Sequence, residues 1–397
     1  MISDRLDLLT DYPFPRLDAL LEGLPLPAGV TQANPMWIGE PKHAVPELVK
    51  APLASRFADY NRYPPIEGTP GLREAIAAWL NRRYRLPEGF IDPHGGMVMP
   101  VAGSREGLFL IAHAAVPDSK KGGRPVAVVP NPFYQPYKGG AVTAGAEIFY
   151  PPCTRETDFL PDLDAIPADI LERAAIFYLC SPANPQGTVA SKDYLARAVA
   201  LARKHDFLLV SDECYAEIYD KTPPAGALEV CAQTGSLANV VVSHSLSKRS
   251  SCAGLRSGFM AGDPAFLKAF IRLRKYAAAS SSFATYEAAE ALWRDEAHVI
   301  ANRDLYRAKI DVAERILGNR FGFYRPPGGF FLWLDVGDGE AATKKLWREA
   351  GVKVLPGAYL AATADDGAND AAPYIRVALV NDLETTRAGL AAIAETL

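Results

Sequence analysis

The sequence predicts an α/β fold in which a mostly parallel sheet lies between helices, followed by a smaller α+β unit. Three observations support this fold class. From residue 97 onward, short apolar segments alternate with segments of helical periodicity. The apolar runs at 127–129 and 207–210 are nearly continuous, which is typical of strands buried on both faces. Near residue 262 the alternation stops and longer helical segments begin, which indicates the second unit.

Length and composition limit the classes of function. The chain has 397 residues, a formal net charge of −4 and a sequence pI near 5.9, with no basic run, so we expect small-molecule rather than nucleic-acid partners. No stretch approaches a membrane span and no signal peptide is recognisable, so we expect a cytoplasmic protein without a membrane partner. The cysteines and histidines show no close ligand spacing, so no metal site is expected.

The predicted elements follow in chain order. Residues 1–45 carry many prolines and loop signals, so we expect a segment that packs with the small domain and over the active site. A helix is predicted at 71–84, where apolar residues recur at helical spacing. Strands are predicted at 97–101, 125–130, 147–150, 175–180, 207–211, 240–243 and 257–261, and the helices between them include 104–115 and 191–204.

The C-terminal part differs in pattern. Helical stretches extend to about residue 318, and a strand, a helix, a second strand and a closing helix follow, the first three at 328–334, 341–350 and 374–379. Residues 361–372 are small and polar, which predicts an exposed loop. We therefore expect a large domain at 46–285 and a small C-terminal domain at 286–397.

Polar groups follow several predicted strands, at the edge where ligands bind in open α/β sheets. Ser104 and Arg105 open a helix after a glycine turn, and the free backbone N–H groups there suit a phosphate as well as they suit an ordinary helix cap. Tyr134 follows the next strand and either stacks on a flat ring or belongs to the core. Asn184 lies in a proline-rich turn, where its amide can donate to a phenolate-like oxygen.

The next two strand ends carry opposite charges. Asp212 ends an apolar strand, where a carboxylate is unfavourable unless it meets a cation, and Tyr215 is expected on the same face. Ser245-x-x-Lys248 follows the next strand, and a lysine in an enclosed site is a candidate nucleophile for Schiff-base chemistry. The same motif occurs in acyl-transfer serine enzymes, and most lysines are surface charges. Together with Arg256, these groups match a site for pyridoxal phosphate.

The ordered set of motifs resembles the fold-type I, pyridoxal-phosphate-dependent class I/II aminotransferases. The motifs that carry the resemblance are Asn184-Pro, Asp212-Glu-x-Tyr215, Ser245-x-x-Lys248 and Gly254-x-Arg256-x-Gly258. The intervals of 28 residues from Asn184 to Asp212 and 36 from Asp212 to Lys248 are also similar to those of the family. The resemblance covers essentially the whole chain.

The resemblance implies a role for each residue around the cofactor ring. Lys248 would hold pyridoxal 5′-phosphate as a covalent aldimine and shuttle a proton during the reaction. Asp212 would pair with the ring nitrogen, and Asn184 and Tyr215 would hydrogen-bond the phenolic oxygen. Tyr134 would stack on the ring. Of these, Lys248, Asp212 and Tyr215 are the expected catalytic residues.

The resemblance also implies how the phosphate is held. Ser104 and Arg105, through backbone N–H groups, would bind it together with Ser245 and Arg256. In the family a tyrosine of the partner subunit completes this site, and Tyr63 matches its motif, so a homodimer is expected.

Substrate binding follows from the same resemblance. Arg376 matches the arginine that clamps the α-carboxylate of an amino-acid or 2-oxo-acid substrate, with Asn184 beside it. Gly39 matches a glycine whose loop lies over the substrate. If the amino donor and the oxo acid are both acidic, each carries a second carboxylate. Arg16, Lys42 and Arg249 are the candidate residues to bind it.

A narrower resemblance concerns the substrate. The stretches at 12–17, 100–109, 244–250 and 354–361 resemble bacterial succinyldiaminopimelate aminotransferases of the lysine and diaminopimelate route, whereas 367–372 departs from that pattern. The implied substrates are glutamate and N-succinyl-2-amino-6-oxopimelate. Aminotransferases of aspartate, aromatic or other amino acids, and carbon–sulfur β-lyases, share nearly the same motifs and remain alternatives. A ligand sensor of this fold is a further alternative, but no DNA-binding extension or basic patch accompanies it.

Overall fold

Two sheets and one short strand pair organise the chain in the computed structural model, which describes residues 2–9, 11–364 and 366–397. The strands are β1 (Asn34–Pro35), β2 (Val98–Val101), β3 (Val126–Val128), β4 (Glu147–Phe149), β5 (Ala174–Cys180), β6 (Leu208–Asp212), β7 (Val240–Ser245), β8 (Gly258–Gly262), β9 (Phe331–Asp335), β10 (Val352–Lys353), β11 (Leu355–Pro356) and β12 (Tyr374–Ala378).

Helices surround these sheets. They are α1 (Pro13–Leu21), α2 (Lys50–Ser55), α3 (Pro70–Arg83), α4 (Ser104–Ala115), α5 (Gln135–Ala144), α6 (Ala168–Arg173), α7 (Lys192–His205), α8 (Ala227–Thr234), α9 (Leu246–Arg249), α10 (Pro264–Ala277), α11 (Phe283–Arg294), α12 (Ala297–Leu317), α13 (Gly339–Lys345) and α14 (Leu383–Thr396).

The larger sheet has the strand order β2-β8-β7-β6-β5-β3-β4. Its strands β3 to β7 run parallel, whereas β8 is antiparallel to both of its neighbours. The expectation of a mostly parallel sheet is therefore confirmed, and each of its seven strands begins and ends within two residues of the prediction. Buried strands were predictable because both of their faces must be apolar.

The register of the larger sheet brings its strand ends together. Cys180 of β5 pairs with Asp212 of β6, and Asp212 pairs with Ser243 of β7. Because these strands are parallel, the residues that follow them emerge at one edge of the sheet. Apolar cores cover both faces, since Phe177 and Leu179 of β5 belong to a different cluster from the alternate residues of the same strand.

The smaller sheet contains β11, β12 and β9 in antiparallel order, and β1 pairs with β10 beside it. Met36, which follows β1, is fully buried in the same apolar cluster as Leu332 of β9 and Val377 of β12. The N-terminal segment is thus joined to this sheet by backbone pairing and by apolar packing. The strand expected at 328–334 begins later, because Gly329 adopts a left-handed backbone conformation (φ 77°).

One expectation for the N-terminal segment is wrong. Residues 13–21, which were expected to be loop because of their prolines, form helix α1. Both prolines lie in its first turn, where a helix needs no backbone N–H donor, and Leu17 and Leu21 are buried on its inner face. Within the segment 361–372, residues 363, 364, 366–368, 370 and 372 are exposed as expected, whereas Ala361 and Ala371 are buried, and Asp365 lies outside the described residues.

Candidate active site

A cavity of about 600 Å³ lies where the carboxyl ends of the parallel strands face the N-terminal segment and the smaller sheet. Nearly all of the site residues expected from the sequence line this cavity: Gly39, Ser104, Arg105, Tyr134, Asn184, Asp212, Tyr215, Ser245, Lys248, Arg256 and Arg376. The tertiary structure therefore gathers residues that lie up to 337 positions apart, from Gly39 to Arg376, in one place.

Lys248 enters the cavity from the end of β7. Ser245 caps the short helix α9 by accepting a hydrogen bond from the backbone N–H of Ser247 (3.1 Å), so the chain turns and carries Lys248 toward the cavity. Its Nζ donates a hydrogen bond to the carbonyl of Gly39. Burial lowers the pKa of Lys248 to about 8, so its amine loses a proton far more easily than a surface lysine. The group is suited to act as a nucleophile and as a base.

Asp212 is a buried carboxylate with neutral hydrogen-bond donors. The Tyr137 hydroxyl donates to its Oδ2 (2.6 Å), and the backbone N–H of Cys214 donates to its Oδ1 (3.2 Å). No arginine, lysine or histidine nitrogen of the described residues lies within 4.0 Å of it. Burial raises the pKa of Asp212, although the two hydrogen bonds oppose that shift. A positively charged ring nitrogen in the cavity would compensate this charge.

Three groups of the cavity lining suit an anion: the N-terminus of α4 at Ser104, the Ser245 hydroxyl and the Arg256 guanidinium. Ser104 begins α4 behind Gly103, whose left-handed conformation (φ 83°) is the type that glycine adopts without strain. Arg256 donates from Nη1 to the carbonyl of Ala253 (2.9 Å) and from Nη2 to that of Ala102 (3.2 Å), and it forms no ion pair with the described residues. With the Ser245 hydroxyl, this helix N-terminus and guanidinium suit a phosphate.

Arg376 is a buried guanidinium on β12. It donates to Oδ1 of Asn184 (3.1 Å) and to the carbonyl of Trp37 (2.9 Å), and its carbon Cζ lies 4.4 Å from the ring centre of Phe331. Its Nε is buried without a hydrogen-bond partner. Burial lowers the pKa of Arg376 to about 10. No carboxylate of the described residues pairs with it, so it is prepared for a carboxylate supplied by a ligand.

Arg105 contributes a side chain as well as a backbone N–H. Its Nε donates to the Tyr134 hydroxyl (3.0 Å) and its Nη2 donates to the Tyr12 hydroxyl (3.3 Å). Both partners are neutral phenols, and burial raises the pKa of Tyr134 to about 12 despite the bond from Arg105. The guanidinium therefore faces the cavity with no carboxylate among the described residues to neutralise it.

Sequence reasoning missed several residues of the site. Tyr137, which bonds Asp212, is three residues beyond Tyr134, but helix α5 was not predicted there and so its orientation could not be inferred. Phe331 and Tyr12 also line the cavity. Only the tertiary structure identifies them, because each comes from a different part of the chain.

The three cations considered for a second carboxylate do not line the cavity. Arg249 is almost fully buried elsewhere, with Nη2 bonded to Glu296 (2.9 Å), and is therefore part of the core. Arg16 lies over the Tyr359 ring, and Lys42 donates to Asn381.

Tyr63 does not line the cavity either, and its side chain is fully exposed in the single chain. Among the described residues, no group of three or more histidine, cysteine or carboxylate side chains could hold a metal ion. None of the helices in that part of the chain is long and apolar enough to cross a membrane.

Comparison with known proteins places these features in context. A sequence model of the family "Aminotransferase class I and II" matches residues 35–393. The chain is 30% identical over 394 residues to an LL-diaminopimelate aminotransferase of Syntrophobacter fumaroxidans, which covers 97% of this chain and 96% of the relative.

Two further similarities have higher identity. The chain is 34% identical over 342 residues to the 4-dedimethylamino-4-oxo-anhydrotetracycline transaminase OxyQ of Streptomyces rimosus, covering 86% of this chain and 87% of the relative. The crystal structure of an aminotransferase from Neisseria meningitidis Z2491 superposes with a TM-score of 0.93 at 38% identity, covering 99% of both chains.

Proposed function

The chain belongs to the class I and II aminotransferase family, and on that premise we propose that it transfers an amino group between glutamate and N-succinyl-2-amino-6-oxopimelate. Its fold is that of the fold-type I enzymes, its cofactor is pyridoxal 5′-phosphate, and its substrates are amino acids and 2-oxo acids. The identity of those substrates and the role of each residue are the proposal.

The cavity suits this cofactor at both ends. The buried Asp212, which has no cation partner among the described residues, would keep the ring nitrogen protonated, and Asn184 and Tyr215 would meet the phenolic oxygen. Ser104, Ser245 and the other groups of the phosphate end would hold the phosphate. When bound, the cofactor supplies an electron sink for the charge that develops at the substrate Cα.

The proton transfers fall to Lys248. As a free amine, its Nζ would move a proton between the substrate Cα and the cofactor carbon C4′. The lowered pKa of this lysine, about 8, supports that role because an efficient base titrates near the working pH. The Gly39 carbonyl, which accepts a hydrogen bond from Nζ, would help to orient it.

One observation supports an acidic substrate: besides Arg256, which we assign to the phosphate, the cavity presents two guanidinium groups, Arg376 and Arg105, that have no carboxylate partner among the described residues. Arg376 would clamp the α-carboxylate and Arg105 would bind a second carboxylate. Glutamate and the succinylated oxo acid both carry such a second group. The named activity of the Syntrophobacter relative favours a substrate with the diaminopimelate carbon skeleton.

The unsuccinylated LL-diaminopimelate is a second candidate substrate, because the printed names of several relatives specify it. It differs from N-succinyl-LL-diaminopimelate, the aminated form of the proposed oxo acid, in having a second ammonium group where that molecule has an amide. A cavity that binds it would need an anion near that group, and Glu40 lines the cavity.

An absorbance titration of the purified protein tests the proposal. Glutamate should bleach the visible band of the bound cofactor, and N-succinyl-2-amino-6-oxopimelate should restore it. Recovery with oxaloacetate or phenylpyruvate instead would exclude the proposed substrate. Amino transfer from LL-diaminopimelate to 2-oxoglutarate would favour the second candidate, and pyruvate release from a cysteine conjugate would indicate a β-lyase.

We also propose a homodimer in which Tyr63 reaches the phosphate of the other subunit. Its complete exposure in the single chain supports this, as does the exposure of Phe57, Tyr60 and Tyr276. In this arrangement the large domain (46–285) would carry most of the interface and the small domain (286–397) would close over the substrate. Light scattering of the holoenzyme measures its oligomeric state. The substitution Tyr63→Phe should weaken retention of the cofactor without dissociating the dimer.

A further inference from the structure

A chain of three side chains ends on the backbone of Lys248. Nζ of Lys309 lies 2.6 Å from Nε2 of His43, and Nδ1 of His43 lies 2.7 Å from Oδ1 of Asn302. The Asn302 amide nitrogen donates to the backbone carbonyls of Lys248 (3.1 Å) and Arg249 (3.1 Å). We call Lys309, His43 and Asn302 the relay.

The hydrogen bonds of the relay can run in only one direction. Asn302 uses its amide nitrogen as the donor to two carbonyls, so its oxygen must accept from His43. His43 therefore carries its proton on Nδ1, and its Nε2 is left with a lone pair that accepts from Lys309. This arrangement requires a neutral His43, because a protonated Nε2 would face an ammonium group.

Lys309 is an unusual member of the relay because it is almost fully buried on α12 and no carboxylate of the described residues lies within 4.0 Å of it. Its Nζ lies 4.9 Å from the ring centre of Tyr306, whose ring is also 4.4 Å from that of His43. Burial lowers the pKa of Lys309 to about 8, opposed by the more distant Asp382. Burying an ammonium group without a carboxylate partner costs free energy, and a functional role for the contact would explain why it is present.

The relay joins three parts of the chain at the catalytic turn. His43 follows Gly39 by four residues in the segment whose Gly39 carbonyl accepts from Lys248. The Ser251 hydroxyl donates to the backbone carbonyl of His43 (3.0 Å). The segment that covers the cavity is thus tied to the turn that presents Lys248, and α12 supplies the support.

We propose that Lys309, His43 and Asn302 are positioning residues that hold the Lys248 turn and the Gly39 segment in register. This inference rests on the role proposed for Lys248. The relay residues do not line the cavity, so they act through the backbone of Lys248 and not on the substrate.

The relay should make the enzyme sensitive to acid. Burial lowers the pKa of His43, and the charge of Lys309 adds to this, although the bond to Asn302 opposes it. Asp382 acts on Lys309, and Lys42, which precedes His43 in the chain, donates from its Nζ to Asn381. Because the pKa of His43 is lower in the assembled relay than its ordinary value of 6.5, the neutral histidine that the relay requires is present above about pH 6.5 and is lost as the pH falls through the lowered value.

Two substitutions of His43 separate hydrogen bonding from titration. His43→Gln keeps one donor for Asn302 and one acceptor for Lys309 but cannot be protonated, whereas His43→Leu removes both functions. For the holoenzyme we expect kcat/KM for glutamate to decline on the acid side in the wild type and to decline less in His43→Gln. His43→Leu should lower kcat/KM about tenfold at all pH values, since it leaves buried polar groups unpaired.

The pH titration of the cofactor absorbance provides a readout that simple loss of stability does not change, because it reports the environment of Lys248. Asn302→Leu and His43→Leu should shift its midpoint, while Lys268→Met, on the exposed side of α10, should not. Two results together would overturn the proposal. The midpoint of the absorbance titration would be unchanged in Asn302→Leu and His43→Leu, and kcat/KM of His43→Gln would decline at acid pH as it does in the wild type. If Lys248→Ala kept normal turnover, the proposed function would fail instead, whatever the relay variants do.

Discussion

Asp212 and Glu213 are consecutive buried carboxylates with opposite environments. Asp212 faces the cavity, its hydrogen bonds from the described residues come from neutral groups, and burial raises its pKa. Glu213 points to the other face of the sheet, as successive strand residues do. At one strand end, Asp212 therefore carries a charge that a ligand can pair with, whereas the charge of Glu213 is satisfied by partners within the protein.

The satisfied carboxylate has a complete set of partners. Glu213 accepts hydrogen bonds from the Tyr84 hydroxyl (2.6 Å), the Ser211 hydroxyl (3.0 Å) and the backbone N–H of Ala227 (2.9 Å), and its Oε2 lies 3.1 Å from Nε2 of His244. Burial alone would raise its pKa, but the contacts with His244 and Tyr84 lower it overall. These contacts tie β6 and β7 to the end of α3, so Glu213 stabilises the fold.

Two arginines repeat the contrast. Arg249 is buried against Trp293, with its Cζ 4.7 Å from the ring centre, and forms an ion pair with Glu296 (2.9 Å). Arg376 is equally buried but has no carboxylate partner among the described residues. Burial of a charge therefore does not by itself mark a functional residue, whereas burial without a counter-charge in the protein does.

The strongest test of the cavity side is Lys248→Ala. We expect turnover to fall by at least about 10³-fold, because the substitution would remove the proposed nucleophile and the proposed base together. The thermal midpoint of the apoprotein should not fall, since the substitution removes a buried amine that is held with a lowered pKa. Steady-state assays and calorimetry measure the two effects. Near-normal turnover would contradict our interpretation that the residues on the cavity side of the strand ends carry out the reaction.

The adjacent carboxylates provide a matched pair of substitutions. Asp212→Asn should reduce kcat/KM by about 10²-fold or more, since the ring nitrogen loses its partner, yet it should stabilise the apoprotein by about 1 kcal/mol. Glu213→Gln should instead destabilise the protein by about 3 kcal/mol, because a buried hydrogen-bonded charge is disrupted.

Urea unfolding of both apoproteins measures the signs of these changes. Because the pKa of Glu213 is lowered in the fold, its contribution to stability is present above the unfolded value of 4.5 and is lost as the pH falls through the lowered one. Destabilisation by Asp212→Asn would show that its carboxylate is already compensated in the protein, contrary to our interpretation.

Two arginine substitutions test the same contrast with a smaller expected effect. Arg376→Lys should raise the KM for glutamate about 10-fold to 100-fold, because a lysine cannot form the paired hydrogen bonds of a guanidinium, and should change stability little. Arg249→Lys should lower the thermal midpoint and leave KM unchanged. An unaltered KM in the first variant would exclude Arg376 from substrate binding.

The smallest effect concerns the pH dependence of cofactor loading. In the role proposed for Lys248, its deprotonated amine would react with the cofactor aldehyde, so the loading rate of the apoprotein should rise with pH and level off above about pH 8, well below the ordinary lysine value of 10.5. Stopped-flow absorbance measures this rate. A rate that still increases steeply between about pH 9 and pH 10 would show that the lysine is not buried as described.

Much of the larger sheet and the polar groups at its edge could be predicted from the sequence. A strand buried on both faces must be an apolar run, and a residue such as Asp212 or Lys248 stands out because it follows such a run directly. The order of the motifs then indicated the family. These signals are local, because they depend only on neighbouring residues and on the alternation of strands with helices.

Other features depended on contacts between distant residues. Tyr137 reaches Asp212, and Asn302 reaches the Lys248 carbonyl, across 75 and 54 positions of the chain. Arg249 follows Lys248 directly but points into the core, which periodicity over a four-residue helix could not reveal. The sequence determined which residues end each strand, while the tertiary structure decided which charges found partners, because pairing depends on the side chains that other elements bring within hydrogen-bond distance.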